Sequence, residues 1–314
     1  MNSTNVAKSS SLIRRLLELV RFSHTVFALP FALLGFVLAC IAPTSATAQA
    51  TAWTVLVRLT GIVLCMVSAR SAAMAFNRLV DAQIDARNPR TAGRHLPTGE
   101  LAKWQVWVFF ALMVIAFELA CVVFLPNWLP IAFSLPLLIW ICSYSFAKRF
   151  TEAAHLWLGS SLALSPICAW IALRGEEVLA RPWDVLPSIW LGVAIALWVS
   201  GFDIIYACQD VEFDRGHKLH SVPARTGVAR ALKLAALAHV LMLIVLAPFP
   251  LMFPQLGLGV LYWLAWATVA MLVVIQHRSV RADDLSRVNF AFFNVNAALS
   301  LGFCTVVALD AWIS

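Results

Sequence analysis

The sequence predicts an all-α integral membrane protein, with about nine transmembrane helices around a central polar cavity that opens to the cytoplasmic side. The composition, the long apolar runs and the one-sided distribution of basic residues predict this class. Of the 314 residues, 61% are hydrophobic and only 12% are charged, whereas soluble domains are about 45–50% apolar and about 25% charged. The 7 cysteines form no CxxC pair, so neither a disulfide framework nor a zinc site is predicted.

Nine apolar runs are each long enough, at about 20 residues, to cross a bilayer. Only Pro126, Asn127 and Trp128 separate the third run from the fourth, which predicts a tight turn between two helices. Tryptophans near the run ends fit an interfacial aromatic belt. The runs cover residues 23–43, 53–76, 104–125, 129–146, 154–173, 184–207, 231–249, 256–276 and 288–309.

The basic residues predict the orientation. If the amino terminus is cytoplasmic, all of the 23 Lys and Arg residues except Arg58, Arg70, Arg174 and Arg181 fall on the cytoplasmic side. The positive-inside rule then places a basic amino-terminal segment, residues 1–22, in the cytoplasm, and nine spans place the carboxyl terminus outside. The net charge of +7 would by itself suit nucleic acid or an anionic surface. Its one-sided distribution indicates membrane topology instead, so we expect no nucleic-acid partner.

The amino-terminal region imitates a secretory signal, because basic residues, an apolar run and the stretch Ala46-Thr-Ala48-Gln-Ala50 follow one another. The apolar run from Thr25 to Ala42 is longer than the usual signal core and contains Pro30. We therefore expect the segment to be retained, which keeps Arg21 and His24 at the charged face of the protein.

Two polar clusters lie at the predicted cytoplasmic ends of the second and sixth runs. The first contains Asn77, Asp81 and Asp85, and the second contains Asp203, Tyr206, Asp210 and Asp214. Acids at i and i+4 project from one face of a helix and repel each other unless a cation lies between them. Carboxylate oxygens are ligands of Mg²⁺, which in turn binds phosphate oxygens. The clusters therefore predict a diphosphate site with Mg²⁺ as cofactor, formed by five acids in phase on two helices.

Basic residues beside the clusters predict contacts with the remaining phosphate oxygens. These residues are Arg90, Arg94, Lys148 and Arg149. Arg70 lies seven positions before Asn77, about two helical turns deeper on the same face. A buried arginine inside a span needs an anionic partner. That partner is either Asp203 of the protein or a substrate carboxylate, and both interpretations stay open at this point.

Two further polar features lie within the runs. Glu118, in the middle of the third run, is expected to be a neutral, hydrogen-bonded acid. Three asparagines in the last run predict hydrogen bonds between helices, and the aromatic rings beside them predict, as an alternative, the wall of an allylic-cation site. These residues are Asn289, Asn294, Asn296, Phe290, Phe292 and Phe293.

Together the motifs resemble those of the UbiA superfamily of intramembrane aromatic prenyltransferases. The first cluster matches the family's first signature and is followed by the similar pattern Arg90-Thr91, Arg94-x-Leu96-Pro97-x-Gly99. The second cluster matches Asp-xx-Tyr-Ala-xx-Asp-xxx-Asp, and Tyr144-xxx-Lys148-Arg149 is similar to a third family segment. Arg70 falls where the family keeps an arginine. The resemblance is closest to the 4-hydroxybenzoate polyprenyltransferase-like branch, and the stretch 203–225 is similar to a bacterial subgroup of it.

The resemblance implies a single membrane domain over residues 23–314 in the bacterial inner membrane, with a cytoplasmic amino terminus. It implies transfer of a polyprenyl group from polyprenyl diphosphate to an aromatic carboxylic acid acceptor, with membrane lipid around the isoprenoid tail. Asp81, Asp85, Asp210 and Asp214 would bind Mg²⁺ together with Asn77. Arg90, Arg94, Lys148 and Arg149 would bind the diphosphate. Arg70 would bind the acceptor carboxylate beside Tyr144, and Asp203 would orient or deprotonate the phenol with support from Tyr206.

The acceptor favoured by the resemblance is 4-hydroxybenzoate, in quinone biosynthesis. The alternative within the family is 1,4-dihydroxy-6-naphthoate, in the futalosine route to menaquinone. A different class, the cation-coupled transporters, would place paired acids near the bilayer midplane, whereas these acids are predicted at one rim. Haem O synthases and terpene cyclases of the same superfamily fit the motifs less well.

Overall fold

The computed structural model describes residues 11–20, 28–43 and 51–313. Over these ranges the chain is helical with short connections, and the one bridge of extended backbone joins Arg281 to Asp284. The signal-like stretch at residues 46–50, together with Arg21 and His24, lies outside the described residues.

The α-helices follow one another in the order below, and three short 3₁₀ turns and one π-helical segment connect some of them. The α-helices are α1 Leu12–Leu19, α2 Leu29–Ile41, α3 Ala52–Arg87, α4 Lys103–Val122, α5 Leu129–Ala147, α6 Ala154–Leu173, α7 Gly175–Ala180, α8 Leu186–Ala207, α9 Val211–Gly216, α10 Val222–Thr226, α11 Val228–Leu246, α12 Phe249–Met252, α13 Val260–Ser279, α14 Val288–Phe290 and α15 Asn296–Ile313. The 3₁₀ turns are Pro182–Val185, Cys208–Asp210 and Pro254–Leu256, and the π-helix is Ala291–Val295.

Eight helical segments in the described ranges are long and apolar enough to cross a membrane. They are built on α3, α4, α5, α6, α8, α11, α13 and α15. The run predicted over residues 23–43 forms the shorter apolar helix α2, of 13 residues, and the first part of that run lies outside the described residues. The described chain thus shows eight candidate spans where the sequence predicted about nine.

Helix α3 is much longer than the run that predicted it, because it continues from residue 76 to Arg87 and contains 36 residues. The added turns contain no glycine or proline, so nothing in them interrupts the helix. At about 1.5 Å per residue the helix is about 54 Å long, which exceeds a hydrocarbon core of about 30 Å. Its last turns therefore extend beyond the apolar part of the helix and carry the first polar cluster with them.

The second polar cluster does not lie on one uninterrupted helix, so the prediction of five acids in phase on two helices is wrong. Helix α8 ends at Ala207, a 3₁₀ turn follows over Cys208–Asp210, and α9 begins at Val211. The Cys208 N–H donates to the carbonyl of Ile205, which is the tighter hydrogen-bond spacing of a 3₁₀ turn. The tighter winding of the 3₁₀ turn shifts Asp210 and Asp214 out of the α-helical phase of Asp203.

Helices α6 and α8 form the most extensive helix pair, and α3 with α4, α8 with α11, and α2 with α6 pack closely as well. Gly159 allows the first of these contacts: a Cβ built there would overlap the carbonyl of Ala196 and lie 2.7 Å from Ser200 Oγ. This close approach brings the first turn of α6 against the last turns of α8, where Asp203 lies.

The end of the bundle away from the clusters is held by a buried ion pair. Arg174, which is almost completely buried, binds both oxygens of Asp184 and donates to the carbonyls of Ala42 and Pro43. Tryptophans at the helix ends are exposed, as an aromatic belt requires. They are Trp53, Trp104, Trp128 and Trp183. All 7 cysteines are free thiols.

Two polar side chains within the spans form hydrogen bonds between helices. Glu118 accepts a hydrogen bond of 2.7 Å from Ser134 on the next helix. Asn296 accepts from the Trp198 indole at 3.0 Å and from Gln276 at 3.2 Å, so it joins three helices. Asn289 and Asn294 are exposed, and the prediction of helix–helix hydrogen bonds is confirmed for Asn296 alone.

Candidate active site

The two polar clusters meet at one end of the bundle. Asn88, which caps the carboxyl end of α3, donates a hydrogen bond of 3.1 Å to Asp210 Oδ1 in the second cluster. The charge of Lys148, which follows α5, acts on acids of both clusters. These acids are Asp81, Asp203, Asp210 and Asp214. Both clusters therefore lie close to one ammonium group.

In the first cluster each carboxylate has an arginine partner from a different loop. Asp81 accepts a hydrogen bond of 3.2 Å from Arg149 and one of 2.9 Å from Asn77. Asp85 accepts from Arg94 Nη1, which lies 2.7 Å from each of its two oxygens. The predicted phosphate-binding arginines are thus paired with the predicted metal-binding acids.

In the second cluster Arg90 holds Asp210 through two parallel hydrogen bonds. Its Nε lies 2.8 Å from Oδ1, its Nη2 binds Oδ2, and its Nη1 donates to the Tyr206 hydroxyl at 2.8 Å. The guanidinium carbon also lies 5.0 Å from the centre of the Tyr206 ring. Burial opposes the charge of Arg90, but its hydrogen bonds to Asp210 and the negative charge of that carboxylate outweigh burial and raise the pKa of Arg90.

The loop after the second cluster folds back over the site. Ser221 donates a hydrogen bond of 2.8 Å to Asp214 Oδ2. The backbone N–H of His220 donates to the carbonyl of Lys148 at 2.7 Å. These contacts fix the loop that follows α9 against the loop that follows α5, so the basic and acidic segments are held together.

Asp203 is paired with His155, whose Nδ1 lies 2.7 Å from Asp203 Oδ2. Arg70 forms no ion pair with Asp203, so the interpretation in which these two neutralise each other is wrong. The His155 imidazole can hydrogen-bond to one oxygen of Asp203 because α6, which carries His155, approaches α8 closely at Gly159.

Arg70 is therefore left as a partly buried cation inside α3. Its Nε has no hydrogen-bond partner within the described ranges. Its charge and the buried hydroxyl of Tyr144 influence each other, and Tyr144 in turn lies within reach of Asp203. Tyr144 thus lies within electrostatic range of both Arg70 and Asp203.

An apolar cavity of about 170 Å³ begins at Arg70 and Tyr144. Residues of α3, α4, α5 and α6 form most of its wall, and Phe124 and Leu129 line its far end. Leu129 and Tyr144 lie at opposite ends of α5, about 22 Å apart at a rise of about 1.5 Å per residue. The cavity is apolar over most of its length, and its charged groups lie at the end near the clusters.

The donor set of the two clusters suits Mg²⁺, since it consists of carboxylate and amide oxygens. These donors are Asn77, Asp81, Asp85, Asp210 and Asp214. Within the described ranges no three His, Cys, Asp or Glu side chains converge as a closed metal site. Mg²⁺ usually binds through one or two carboxylates and completes its shell with water and substrate phosphate. The residues present fit that open form of coordination.

Aromatic rings surround the Tyr206 side of the site. The rings of Tyr206 and Phe292 are 4.2 Å apart, and Phe202 and Phe293 lie 5.2 and 4.7 Å from Phe292. Phe290 is 45% exposed and does not belong to this group. The role of the group at an allylic cation stays a prediction.

Four polar residues of the site escaped the sequence analysis. His155 and Asp203 are 48 positions apart, and Asn88 and Asp210 are 122 apart, so no local spacing could reveal either pair. The sequence did contain one signal for them: His155 lies at the start of an apolar run, and Asn88 directly follows the helix that carries the first cluster. The four residues are Arg78, whose Nη1 lies 4.0 Å from Asp85, together with Asn88, His155 and Ser221.

The model of the UbiA prenyltransferase family matches residues 25–298 of this chain. The chain belongs to the UbiA prenyltransferase family. A 4-hydroxybenzoate octaprenyltransferase of Xanthomonas euvesicatoria pv. vesicatoria (strain 85-10) is 30% identical over 265 residues, which cover 82% of this chain and 80% of the relative. The enzyme of the same name from Chromohalobacter salexigens is 30% identical over 244 residues and 77% of each chain.

Solved UbiA structures share this fold. A UbiA homologue from Aeropyrum pernix K1, in its apo form, has a TM-score of 0.75 and 26% identity, and the match covers 93% of this chain and 98% of that one. A UbiA homologue from Archaeoglobus fulgidus, bound to GPP and Mg²⁺, has a TM-score of 0.64 and 19% identity over 94% and 99% of the two chains. The all-helical membrane architecture predicted for a UbiA prenyltransferase is confirmed.

Proposed function

We propose that this protein transfers a polyprenyl group from a polyprenyl diphosphate to a hydroxylated aromatic acid in quinone biosynthesis, with 4-hydroxybenzoate as the favoured acceptor. The names of the two relatives and their coverage support this reaction. The observation that carries the proposal is Arg70, a partly buried guanidinium in the lining of an apolar cavity, without an acid partner in the described chain. A cation of this kind fits a substrate carboxylate.

The donor site is formed by the two clusters and the basic loops. Asp81, Asp85, Asp210, Asp214 and Asn77 would hold Mg²⁺, which when bound supplies positive charge to the leaving diphosphate. The residues that would bind the diphosphate oxygens are Arg90, Arg94, Lys148 and Arg149. Three of these cations are already paired with cluster acids, so a diphosphate would take over part of their hydrogen bonds.

The isoprenoid tail would lie in the apolar cavity, where lipid-like surface replaces water. The bond between the allylic carbon and the diphosphate oxygen breaks, and the same carbon forms a bond to the ring carbon ortho to the hydroxyl. Arg70 would hold the acceptor by its carboxylate beside Tyr144, with the hydroxyl directed toward Asp203. This placement lowers the entropic cost of bringing ring and allylic carbon together.

The test is acceptor kinetics of the purified protein in detergent with Mg²⁺ and a long-chain polyprenyl diphosphate. We expect prenylation of 4-hydroxybenzoate and little reaction of phenol. Arg70→Ala should raise the KM for the acid roughly 10- to 100-fold, because a charged hydrogen bond contributes about 1.5–3 kcal/mol. Arg58→Ala is the matched control, since Arg58 also lies on α3 with an unpartnered Nη1 but far from the clusters.

Two outcomes would contradict the proposal. One is reaction of phenol at the rate of the acid, and the other is an acceptor KM of Arg70→Ala equal to the wild-type value. A competition between 4-hydroxybenzoate and a dihydroxynaphthoate shows whether the site prefers an acceptor with one ring or with two. Both acids present the carboxylate that Arg70 would bind. Preference for the naphthoate would replace 4-hydroxybenzoate as the acceptor while retaining the role of Arg70.

A further inference from the structure

We propose that His155 is a positioning residue for the acceptor step, because its imidazole fixes Asp203 so that the other carboxylate oxygen, Oδ1, accepts the proton of the acceptor hydroxyl. The inference rests on the proposed function, since it requires a hydroxylated aromatic acceptor. It adds a residue of α6 to a site otherwise formed by the two clusters and the basic loops.

The hydrogen bonds of His155 define its tautomer. His155 is 2% exposed, its Nδ1 lies 2.7 Å from Asp203 Oδ2, and the backbone N–H of Val222 points to its Nε2 at 3.3 Å. A backbone N–H only donates, so Nε2 accepts and the ring proton is on Nδ1. Nδ1 therefore donates to the carboxylate, which stabilises the ionised form of Asp203 and fixes its orientation.

The same contact determines which oxygen of Asp203 remains for a substrate. Oδ2 is engaged by His155, whereas Oδ1 has no hydrogen bond within the part of the chain that the structure describes. The Asp203 side chain keeps 18% of its surface exposed. Tyr144 is within electrostatic reach of both Asp203 and Arg70. An aromatic acid held by Arg70 would therefore direct its hydroxyl toward Oδ1.

Contacts with α8 and with the loop after α9 fix the position of His155. Ser200 Oγ donates to its carbonyl at 3.2 Å, and Gly159, one turn further along α6, lets α8 approach closely. Val222 follows Ser221, the residue that donates to Asp214. His155 thus contacts both Asp203, on the acceptor side of the site, and Val222, in the loop whose Ser221 binds Asp214. This histidine therefore links the acceptor side of the site to the donor side.

Every proton that is released in the proposed step has an acceptor. As the ring carbon bonds to the allylic carbon, the phenol O–H bond breaks and its proton passes to Asp203 Oδ1. The ring carbon then loses its hydrogen as a proton to the diphosphate, and Asp203 returns its proton to the phenol oxygen. His155 remains neutral throughout and carries no proton between the partners.

The experiment compares His155→Leu, which removes the donor, with His155→Gln, which retains an N–H donor in a side chain of similar length. We expect His155→Leu to lower kcat at least about tenfold, as part of the roughly 10²- to 10⁴-fold contribution of a positioned base. The KM for the polyprenyl diphosphate should not change, and His155→Gln should restore most of kcat. Ser160→Ala, on the same helix, serves as control, because it removes hydrogen bonds to Trp140 and to the Trp157 carbonyl and none to Asp203.

A second acceptor separates positioning from a purely structural role. A ring-fluorinated 4-hydroxybenzoate has a more acidic hydroxyl and needs less help from a base. The ratio of wild-type to His155→Leu kcat should therefore be smaller for the fluorinated acid. An unchanged kcat in His155→Leu, an equal ratio for both acids, or a folded His155→Gln that is as slow as His155→Leu would each overturn the inference. Failure of the proposed function is distinguishable, because the wild-type protein would then prenylate neither acid.

Discussion

At the scale of single residues, three cluster acids are each paired with an arginine from a basic loop. Arg94 holds Asp85 and Arg149 holds Asp81, while Arg90 holds Asp210. Removing these cations without replacement would leave like charges close together, which is costly away from bulk water. Under the proposed function, a metal ion and a diphosphate that arrive together would replace both partners. The pairing would then favour binding of the metal–diphosphate complex over binding of either component alone.

We expect Asp81→Asn and Asp210→Asn each to abolish Mg²⁺-dependent turnover, because the amide keeps the shape of the side chain but removes the ligand charge. The measurement is release of diphosphate in the presence of acceptor, with folding checked by thermal unfolding in detergent. Asp283→Asn is the matched control, since Asp283 is exposed and contacts Arg281. Turnover near the wild-type rate in either cluster variant would contradict the metal-ligand role.

At the scale of helices, the close contact of α6 with α8 positions the acceptor side of the site. The contact depends on Gly159, whose missing Cβ leaves room for the Ala196 carbonyl and the Ser200 hydroxyl. Without it, His155 could not lie within hydrogen-bond distance of Asp203 on the neighbouring helix. The helix pair therefore links packing in the apolar core to the geometry of Asp203, the proposed base.

Gly159→Ala should destabilise the protein, because adding a methyl group to a filled contact costs about 1–3 kcal/mol. The measurement is the melting temperature in detergent, which should fall, together with kcat, which should fall as His155 moves away from Asp203. Gly302→Ala is the control, because nothing lies within 4 Å of a Cβ at Gly302 and alanine is a better helix former by about 0.5–1 kcal/mol. Equal melting temperatures of the two variants would show that the contact at Gly159 is not tightly packed.

The sequence predicted the helices well and the partners of the site residues only in part. Apolar length located the spans, and the i, i+4 acids located the first cluster, since both are local patterns. The break in the second cluster at Cys208 and the pairing of His155 with Asp203 depend on how helices pack. The partner of Arg70 could not be decided for the same reason. That decision required the knowledge that Asp203 is already hydrogen-bonded to His155 of α6.

At the scale of the whole molecule, the basic loops and the acid clusters share one end, and the Arg174–Asp184 pair lies at the other. Successive spans reverse direction, so the loops after α3, α5, α9 and α13 lie together, as the contacts of Asn88 with Asp210 and of His220 with Lys148 require. The positive-inside rule assigns this end to the cytoplasm. Under the proposed function and with this orientation, water-soluble acceptor acids would reach the site directly from the cytoplasm.

The orientation can be tested by labelling single introduced cysteines with a membrane-impermeant maleimide. Arg281→Cys, in the exposed loop after α13, should be protected in intact cells and labelled in inverted membrane vesicles. Glu176→Cys, exposed on α7 at the opposite end, should show the reverse pattern. The wild-type protein is the control, because its 7 cysteines are buried or partly buried in the apolar helices and their ends. Labelling of Arg281→Cys in intact cells would place the acid clusters outside and would contradict a cytoplasmic amino terminus.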